Sequence, residues 1–501
     1  GIGKCVAADT RILDPATGAL VPVTEWARQL HPVLSLDHMT HRLAPRQVRA
    51  FHVQGVHPIV EVITRLGRAL RCTPNHPVLT PEGWRPVGTL SPGVRIATPR
   101  TLPYFGRDAI EEFEVKLIAY FLSDGSAVSG INVTTALPEI ERDLGDIARE
   151  LGLKLRKYSK ARTMAKQFRL VRPHGQRAEA RKELMTALSQ VHGESGVSWA
   201  AWARAADVSY HMLNVWRQGE CAPNKMQLER LARTVGVPLA RLAPAARDRA
   251  DKRTPIIHLL ESVGLRFVKA ADKAVPECVF RLPREQLALF LKVLFSCDGS
   301  VYVNRRGGTG VSYSTVSRRL AQDVQHLLLR FGFVARLRTK PSQVNGRPYV
   351  AYEVQLLGFS QVKRFLSEIG IWGREGAKAQ IAASPLPQMP STHLDTVPTG
   401  PPFWEHLRVI TNGAPFREIS ARAGVRLRNR RHDRPLCRST VAAIGTAYPS
   451  SYLEVLARSD IYWDEIRSIT LAGEEPVYDL SVTSQPNFVA NDLIVHNSTL
   501  V

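Results

Sequence analysis

The chain opens with "GIGKC" at residues 1–5 and closes with "VHNSTLV" at residues 495–501. Removing residues 5–497 and joining the remainder gives "GIGKSTLV", the second half of a phosphate-binding loop of the form G-x-x-x-x-G-K-[ST]. In such a loop backbone N–H groups and a lysine cradle phosphates while the Ser or Thr hydroxyl reaches Mg²⁺. One nucleotide-binding loop split between Lys4 and Ser498 implies that the intervening residues are an insertion with chemistry of their own at both junctions.

Working outward, residues 5–99 read as strands. Runs such as "VRAFHVQG", "IVEVITRLG" and "ALRCTPNHPVLT" alternate apolar and polar residues between Gly and Pro. The pattern returns only in "YWDEIRSITLAGEEPVYDLSVTSQPNFVANDLIVHN". Two strand-rich pieces at opposite ends predict one β domain interrupted by a large insertion, which loop-closure entropy tolerates because it grows slowly with length. At 501 residues the chain exceeds one core, and about three domains of ~150 residues are expected. Composition is that of a soluble globular protein, with 44% hydrophobic and 22% charged residues. No apolar run approaches the ~18 residues a membrane span needs, and the expected location is cytoplasmic. The 67 Lys and Arg against 45 Asp and Glu give +22, the footprint of a protein that neutralises phosphates. Six cysteines are scattered without C-x-x-C spacing, so neither a zinc cluster nor a disulfide framework is indicated.

The junction residues suit acyl transfer. The Cys5 thiol follows Lys4 directly and can attack its carbonyl, exchanging an amide for a thioester. Asn497 can cyclise onto its own carbonyl and cut the Asn497–Ser498 bond, and Ser498 supplies an accepting hydroxyl. Each step needs polarisation and proton transfer. "TPNH" offers Thr73 and His76 in one tight turn, and His496 adjoins Asn497. With "VYDLSV", "NFVAND" and the terminal "VHNS", these features resemble inteins, self-splicing elements of the Hint fold. The resemblance covers 5–99 and roughly 457–498. It implies that Thr73 and His76 activate the first amide, that Asp479 helps coordinate the two ends, and that His496 assists Asn497. Similar inteins carry histidine before "NF", where this chain has Pro486.

Inside the insertion, "EVKLIAYFLSDGS" (114–126) and "LALFLKVLFSCDGS" (287–300) are apolar helical stretches ending in the same Asp-Gly-Ser, followed by similar strand and helix plans. This is an internal duplication. The two helices resemble the LAGLIDADG motifs of homing endonucleases, with Ala119 and Val293 where glycine is usual. The resemblance implies that Asp124 and Asp298 hold Mg²⁺ at the scissile phosphates, with Lys273 and Lys378 near the cleavage centre. Residues 197–245 resemble a repressor-type helix-turn-helix. Ala203, Ala206 and Val208 are expected on its first helix and turn, Met212, Val215 and Trp216 on the second, Leu228, Leu231 and Ala232 on the third. Basic strands around 153–182 and 334–350 would track DNA phosphates.

The expected fold is therefore multidomain: an all-β Hint splicing domain with an inserted α+β LAGLIDADG endonuclease domain that carries a small helical insertion. Boundaries are expected at 1–4 and 498–501 for host remnants, 5–100 and 457–497 for the splicing domain, 101–390 for the endonuclease, and 391–456 for a basic helical subdomain or linker. Expected partners are double-stranded DNA and, in cis, a host ATPase, either a replicative helicase or a RecA-like protein. No membrane is expected, and the chain reads as a monomer. The rival reading keeps splicing but leaves the nuclease inactive as a DNA-binding domain.

Overall fold

The segment "VRAFHVQGVHPIVEVIT" becomes a single strand, Val48–Thr64, and the distant "IYWDEIRSITLAGEEPVYDLSV" becomes another, Ile461–Val482. They pair antiparallel along most of their length, with irregular steps such as that between Leu471 and Glu474. The computed structural model describes residues 4–128, 130–159, 164–173, 176–242, 254–303, 308–344, 346–384, 395–427 and 435–497. Ser498 and residues 243–245 and 391–394 lie outside this set.

In the β domain, β1 is Val6–Ala7, β2 Val48–Thr64, β3 Ala69–Cys72, β4 Pro77–Thr80, β5 Arg95–Pro99, β6 Ile461–Val482, β7 Asn487–Ala490 and β8 Leu493–His496. One sheet has the order β1-β3-β2-β6-β5, and β1 also touches β6. A second runs β7-β8-β4 and ends on Gly83–Pro86. The β-branched and aliphatic residues of alternate positions meet in one core that includes Val6, Val60, Leu70, Ile96, Leu480, Phe488 and Val495. Both halves of the sequence thus supply it. Pro99 pairs with Ile461 and Arg100 N–H donates to Asp460 O at 2.7 Å, so the insertion leaves and returns at one point. That adjacency is why the β domain closes despite several hundred intervening residues.

The chain divides into two compact units, 1–123 with 269–501, and 124–268. In the first, α1 (Glu112–Leu122) packs against α2 (Arg284–Asp298). Both are apolar nearly all round, and Ala119 and Val293 are fully buried, as expected of helices enclosed on every side. The duplicated Asp-Gly-Ser ends differ. α1 stops at Leu122, with Ser123 as its cap, whereas α2 continues through Asp298. After α2 come strands 299–303, 309–315, 347–357 and 336–344, in that sheet order, with α3 (Arg318–Arg330) packed on them. The second unit repeats the order with strands 125–126, 132–135, 166–171 and 154–159, so the duplication extends to topology.

Helices Trp199–Ala206, Tyr210–Arg217 and Lys225–Val235 of the second unit are capped by Ser198, Ser209 and Asn224. Their shared core contains Trp202, Ala203, Ala206, Leu213, Trp216, Leu228, Leu231 and Ala232. On the second helix Trp216 is buried as expected and Val215 is half-buried, but Leu213 takes the inward place expected for Met212, which is 39% exposed. The cap at Ser209 sets this phase, because residues 213 and 216 are neighbours on a helix of 3.6 residues per turn. Residues 395–427 and 435–458 form a folded unit around Phe403, Leu407, Ile419, Val441, Ile444 and Leu453, not an extended linker. Among the described residues no helix is long and apolar enough to cross a membrane.

Candidate active site at the two junctions

Cys5 lies directly before β1, and Val6 pairs with both Cys72 and Tyr478. This puts Cys5 between the "TPNH" turn that follows β3 and the Asp479 segment of β6. The Cys5 N–H donates to Thr73 Oγ1 at 3.2 Å, and Thr73 N–H donates to Cys5 O at 3.0 Å. The threonine therefore clamps the cysteine on both sides of its Cα. His76 is fully buried. Burial, then the charge of His496, pushes its imidazole down to about 3, against the opposing influence of the Lys4 and Cys5 backbone. Neither ring nitrogen makes a hydrogen bond of standard geometry among the described residues. A neutral imidazole beside the Lys4–Cys5 amide can accept or deliver a proton there.

Burial, aided by the Asp479 charge, raises the Cys5 thiol to about 12. The residue is thus a thiol, and any nucleophilic role for it would require simultaneous proton removal. Asp479 is fully buried, and its Oδ1 accepts the Leu480 N–H at 2.8 Å.

The other junction arrives on a hairpin. β7 and β8 pair from Ala490↔Leu493 to Asn487↔His496, and Val495 of β8 pairs with Val78 of β4. Since β4 begins one residue after His76 and β8 ends one residue before Asn497, this pairing brings the junctions together. Asn497 is buried, and its N–H donates to Pro486 O at 3.0 Å. His496 Nδ1 stands 2.6 Å from Asn497 O. A carbonyl only accepts, so Nδ1 carries a proton aimed at the carbonyl that Asn497 would attack. Burial lowers the His496 pKa, and Trp84 packs edge-on to its ring at 4.9 Å.

Two contributors were invisible in the sequence. Pro486, standing where histidine was expected, anchors Asn497 through its carbonyl. Asn487 donates through Nδ2 to Leu36 O at 2.9 Å and accepts from Leu36 N–H at 2.7 Å, which fixes the start of β7. A proline carbonyl carries no motif, and although Asn487 opens "NFVAND", nothing in that stretch names Leu36 as its partner.

The acidic helix ends are more asymmetric than the duplication suggests. Lys273 Nζ donates to Leu122 O at 3.1 Å and Ser123 O at 3.3 Å, neutralising the negative end of α1. Residues 285–370 match the family model described as a LAGLIDADG-like domain. The chain carries a LAGLIDADG-like domain. Its α2 ends in Asp298, whose charge helps raise the phenol of buried Tyr313 after burial itself. Lys378, expected to correspond to Lys273, instead donates to Ile371 O at 2.8 Å and pairs with Glu375 on its own helix. Asp124 opens the second unit, where its carbonyl accepts from Thr134 N–H at 3.1 Å. Among the described residues no group of three or more His, Cys, Asp and Glu is gathered as a metal cluster. The donor type nonetheless fits Mg²⁺, which takes few carboxylates and keeps waters.

The replicative DNA helicase DnaB of Rhodothermus marinus is 30% identical over 507 residues, 99% of this chain and 46% of that protein. The Synechocystis DnaB is 27% identical, covering 99% of this chain and 49% of its own length. The chain thus spans about half the length of the curated relatives it matches. Among solved structures, the Ssp DnaB mini-intein variant M86 is 29% identical, with 20% of this chain and 62% of that one covered at a TM-score of 0.19.

Proposed function

We propose that the chain is a bifunctional intein: it excises residues 5–497, ligates its flanks, and carries a homing endonuclease. The observation that carries the splicing reading is the junction geometry, with the Lys4–Cys5 amide clamped by Thr73 beside His76 and the Asn497 carbonyl under His496 Nδ1 on a neighbouring strand. In the first step Cys5 Sγ bonds to the Lys4 carbonyl carbon, the C–N bond breaks, and the thiol proton ends on the Cys5 nitrogen. Asp479 and His76 are the groups placed to relay it. The Ser498 hydroxyl then attacks the thioester, forming an ester and releasing the Cys5 thiol. Asn497 Nδ2 attacks its own carbonyl, the Asn497–Ser498 bond breaks, and a succinimide forms. The freed Ser498 amine finally takes the acyl group from its own oxygen.

Asp124 and Asp298 would hold Mg²⁺, which when bound stabilises charge at a scissile phosphate, with Lys273 as a nearby cation. The close helix packing and duplicated sheets support this arrangement. The different engagement of Lys378 favours a second reading, in which the domain binds DNA without cutting it. The DnaB relatives support a replicative helicase as host, whose phosphate-binding loop splicing would restore through Lys4 and Ser498.

Expression between two tag proteins, followed by mass measurement, tests splicing: joined tags and a released fragment are expected, and precursor alone would sink the reading. Incubation with Mg²⁺ and DNA bearing the uninterrupted insertion site separates the two nuclease readings. Cleavage that Asp124→Asn or Asp298→Asn abolishes supports the first, and binding without cleavage the second.

A further inference from the structure

A buried polar chain links the last hairpin to α3 of the LAGLIDADG-like domain. Asn491 and Asp492 form the two-residue turn between β7 and β8, with φ of 48° and 60°, a conformation that Asn and Asp tolerate. Asn491 N–H donates to Arg11 O at 2.9 Å, its Oδ1 accepts from Arg11 N–H at 2.7 Å, and its Nδ2 donates to Ala69 O at 3.1 Å. These bonds tie one side of the turn to the β domain. The other side faces α3, where Asp492 Oδ1 lies 2.8 Å from His326 Nδ1.

The protonation of this pair follows from its neighbour. Arg330 Nε donates to His326 Nε2 at 3.1 Å. A guanidinium only donates, so Nε2 must hold a lone pair and the ring is neutral, with its proton on Nδ1 aimed at Asp492. Burial acts in the same direction, lowering the His326 pKa. Arg330 in turn donates to Phe280 O at 2.6 Å and Gly18 O at 2.7 Å. One turn earlier, Asp323 pairs with Arg11 and accepts the Val275 N–H at 3.0 Å. Asp323, His326 and Arg330 are 0%, 2% and 1% exposed.

Burying such groups is unfavourable unless every partner is in place, so the arrangement has one low-energy geometry. That geometry fixes the turn. A two-residue turn sets the register of its hairpin, and the register places His496 opposite Asn487 and Asn497 N–H on Pro486 O. We propose that His326, acting through Asp492, is a positioning residue for Asn497 cyclisation, so that a helix of the LAGLIDADG-like domain holds the C-terminal junction in its reactive register. The inference rests on the splicing reading.

The test uses the full chain between two tag proteins. A Cys5→Ala background isolates C-terminal cleavage, and an Asn497→Ala background isolates N-terminal cleavage by added thiol. His326→Leu removes the donor and is expected to slow C-terminal cleavage about tenfold, the scale of a small misplacement, with thiol cleavage changed less than twofold. His326→Asn returns an N–H near the Nδ1 position and is expected to recover most of the rate. Asp492→Gly keeps a turn sequence that favours this hairpin while deleting the carboxylate, and is expected to match His326→Leu. Equal losses in both half-reactions, equal rates for the Leu and Asn variants, or an unaltered C-terminal rate in Asp492→Gly would each overturn the inference. Parent backgrounds that yield neither product would remove the splicing reading and this inference with it.

Discussion

His76 and His496 stand in different surroundings. His76 is enclosed and held neutral down to about 3, whereas His496 is partly exposed, its pKa lowered by burial yet supported by the Asn497 carbonyl. A folded-state pKa below the ordinary 6.5 of histidine means that the unfolded chain takes up the proton first. The stability His76 contributes is therefore present above about pH 6.5 and lost as pH falls toward its folded value, by about 1.4 kcal/mol per pH unit. Urea unfolding is expected to show about 1.4 kcal/mol of this loss in all between pH 7.5 and pH 5.5, a share that His76→Asn removes. An unchanged slope would contradict the buried neutral ring. At His496 the imidazolium is the stronger donor to the Asn497 carbonyl, so C-terminal cleavage in a Cys5→Ala precursor is expected to accelerate between pH 8 and pH 6. A rate that rises with pH would assign His496 the role of a base. The junction residues were legible in the sequence because the chemistry admits few substitutes. Thr73 and His76 come from one turn, and Asn497 adjoins His496 in "VHNS". The Pro486 carbonyl and the Trp84 ring were not legible, since neither depends on a distinctive residue pattern.

At the level of elements, repetition showed where helices belong but not how they end. "LSDGS" and "SCDGS" read alike, yet α1 stops before its aspartate and α2 includes it. Each helix closes on a local bond, Ser123 N–H to Ala119 O and Gly299 N–H to Phe295 O, but at α1 a tertiary partner, the Lys273 ammonium, also occupies the carbonyls of Leu122 and Ser123. At Gly299 a Cβ would come within 2.1 Å of Phe295 O, a contact with backbone that no side-chain rotation relieves. Gly299→Ala is thus expected to shift the Asp298 end of α2 and lower stability by ~1–3 kcal/mol, read as a fall in melting temperature together with loss of any DNA cleavage. Retention of both would show that the end of α2 adapts freely. In the 199–235 unit one position of the expected core moved by a residue: Met212 and Leu213 are adjacent and both apolar, and it is Leu213 that joins Trp202 and Leu228 in the core.

Across the whole molecule, the interrupted β domain was legible because its two pieces share one alternating pattern, and pairing of Pro99 with Ile461 makes the interruption physically inexpensive. The polar chain through Arg330, His326 and Asp492 was not. Its members are far apart in sequence and appear as ordinary surface residues until α3 covers the hairpin turn. The net charge of +22 is a property only the whole chain has. Exposed basic side chains such as Arg156 and Arg169, cross-strand neighbours on one sheet, and Arg336 and Lys340 on the other, are of the type that meets DNA phosphates. Binding to duplex DNA carrying the insertion site is then expected to weaken by roughly 10³-fold between 50 and 200 mM salt, as when about six phosphates are neutralised. Asp124→Asn and Asp298→Asn remove negative charge and are expected to preserve or tighten binding while ending cleavage. Gel-shift titrations across salt measure the first expectation and cleavage assays the second. Affinity indifferent to salt would show that the basic surface serves something other than nucleic acid.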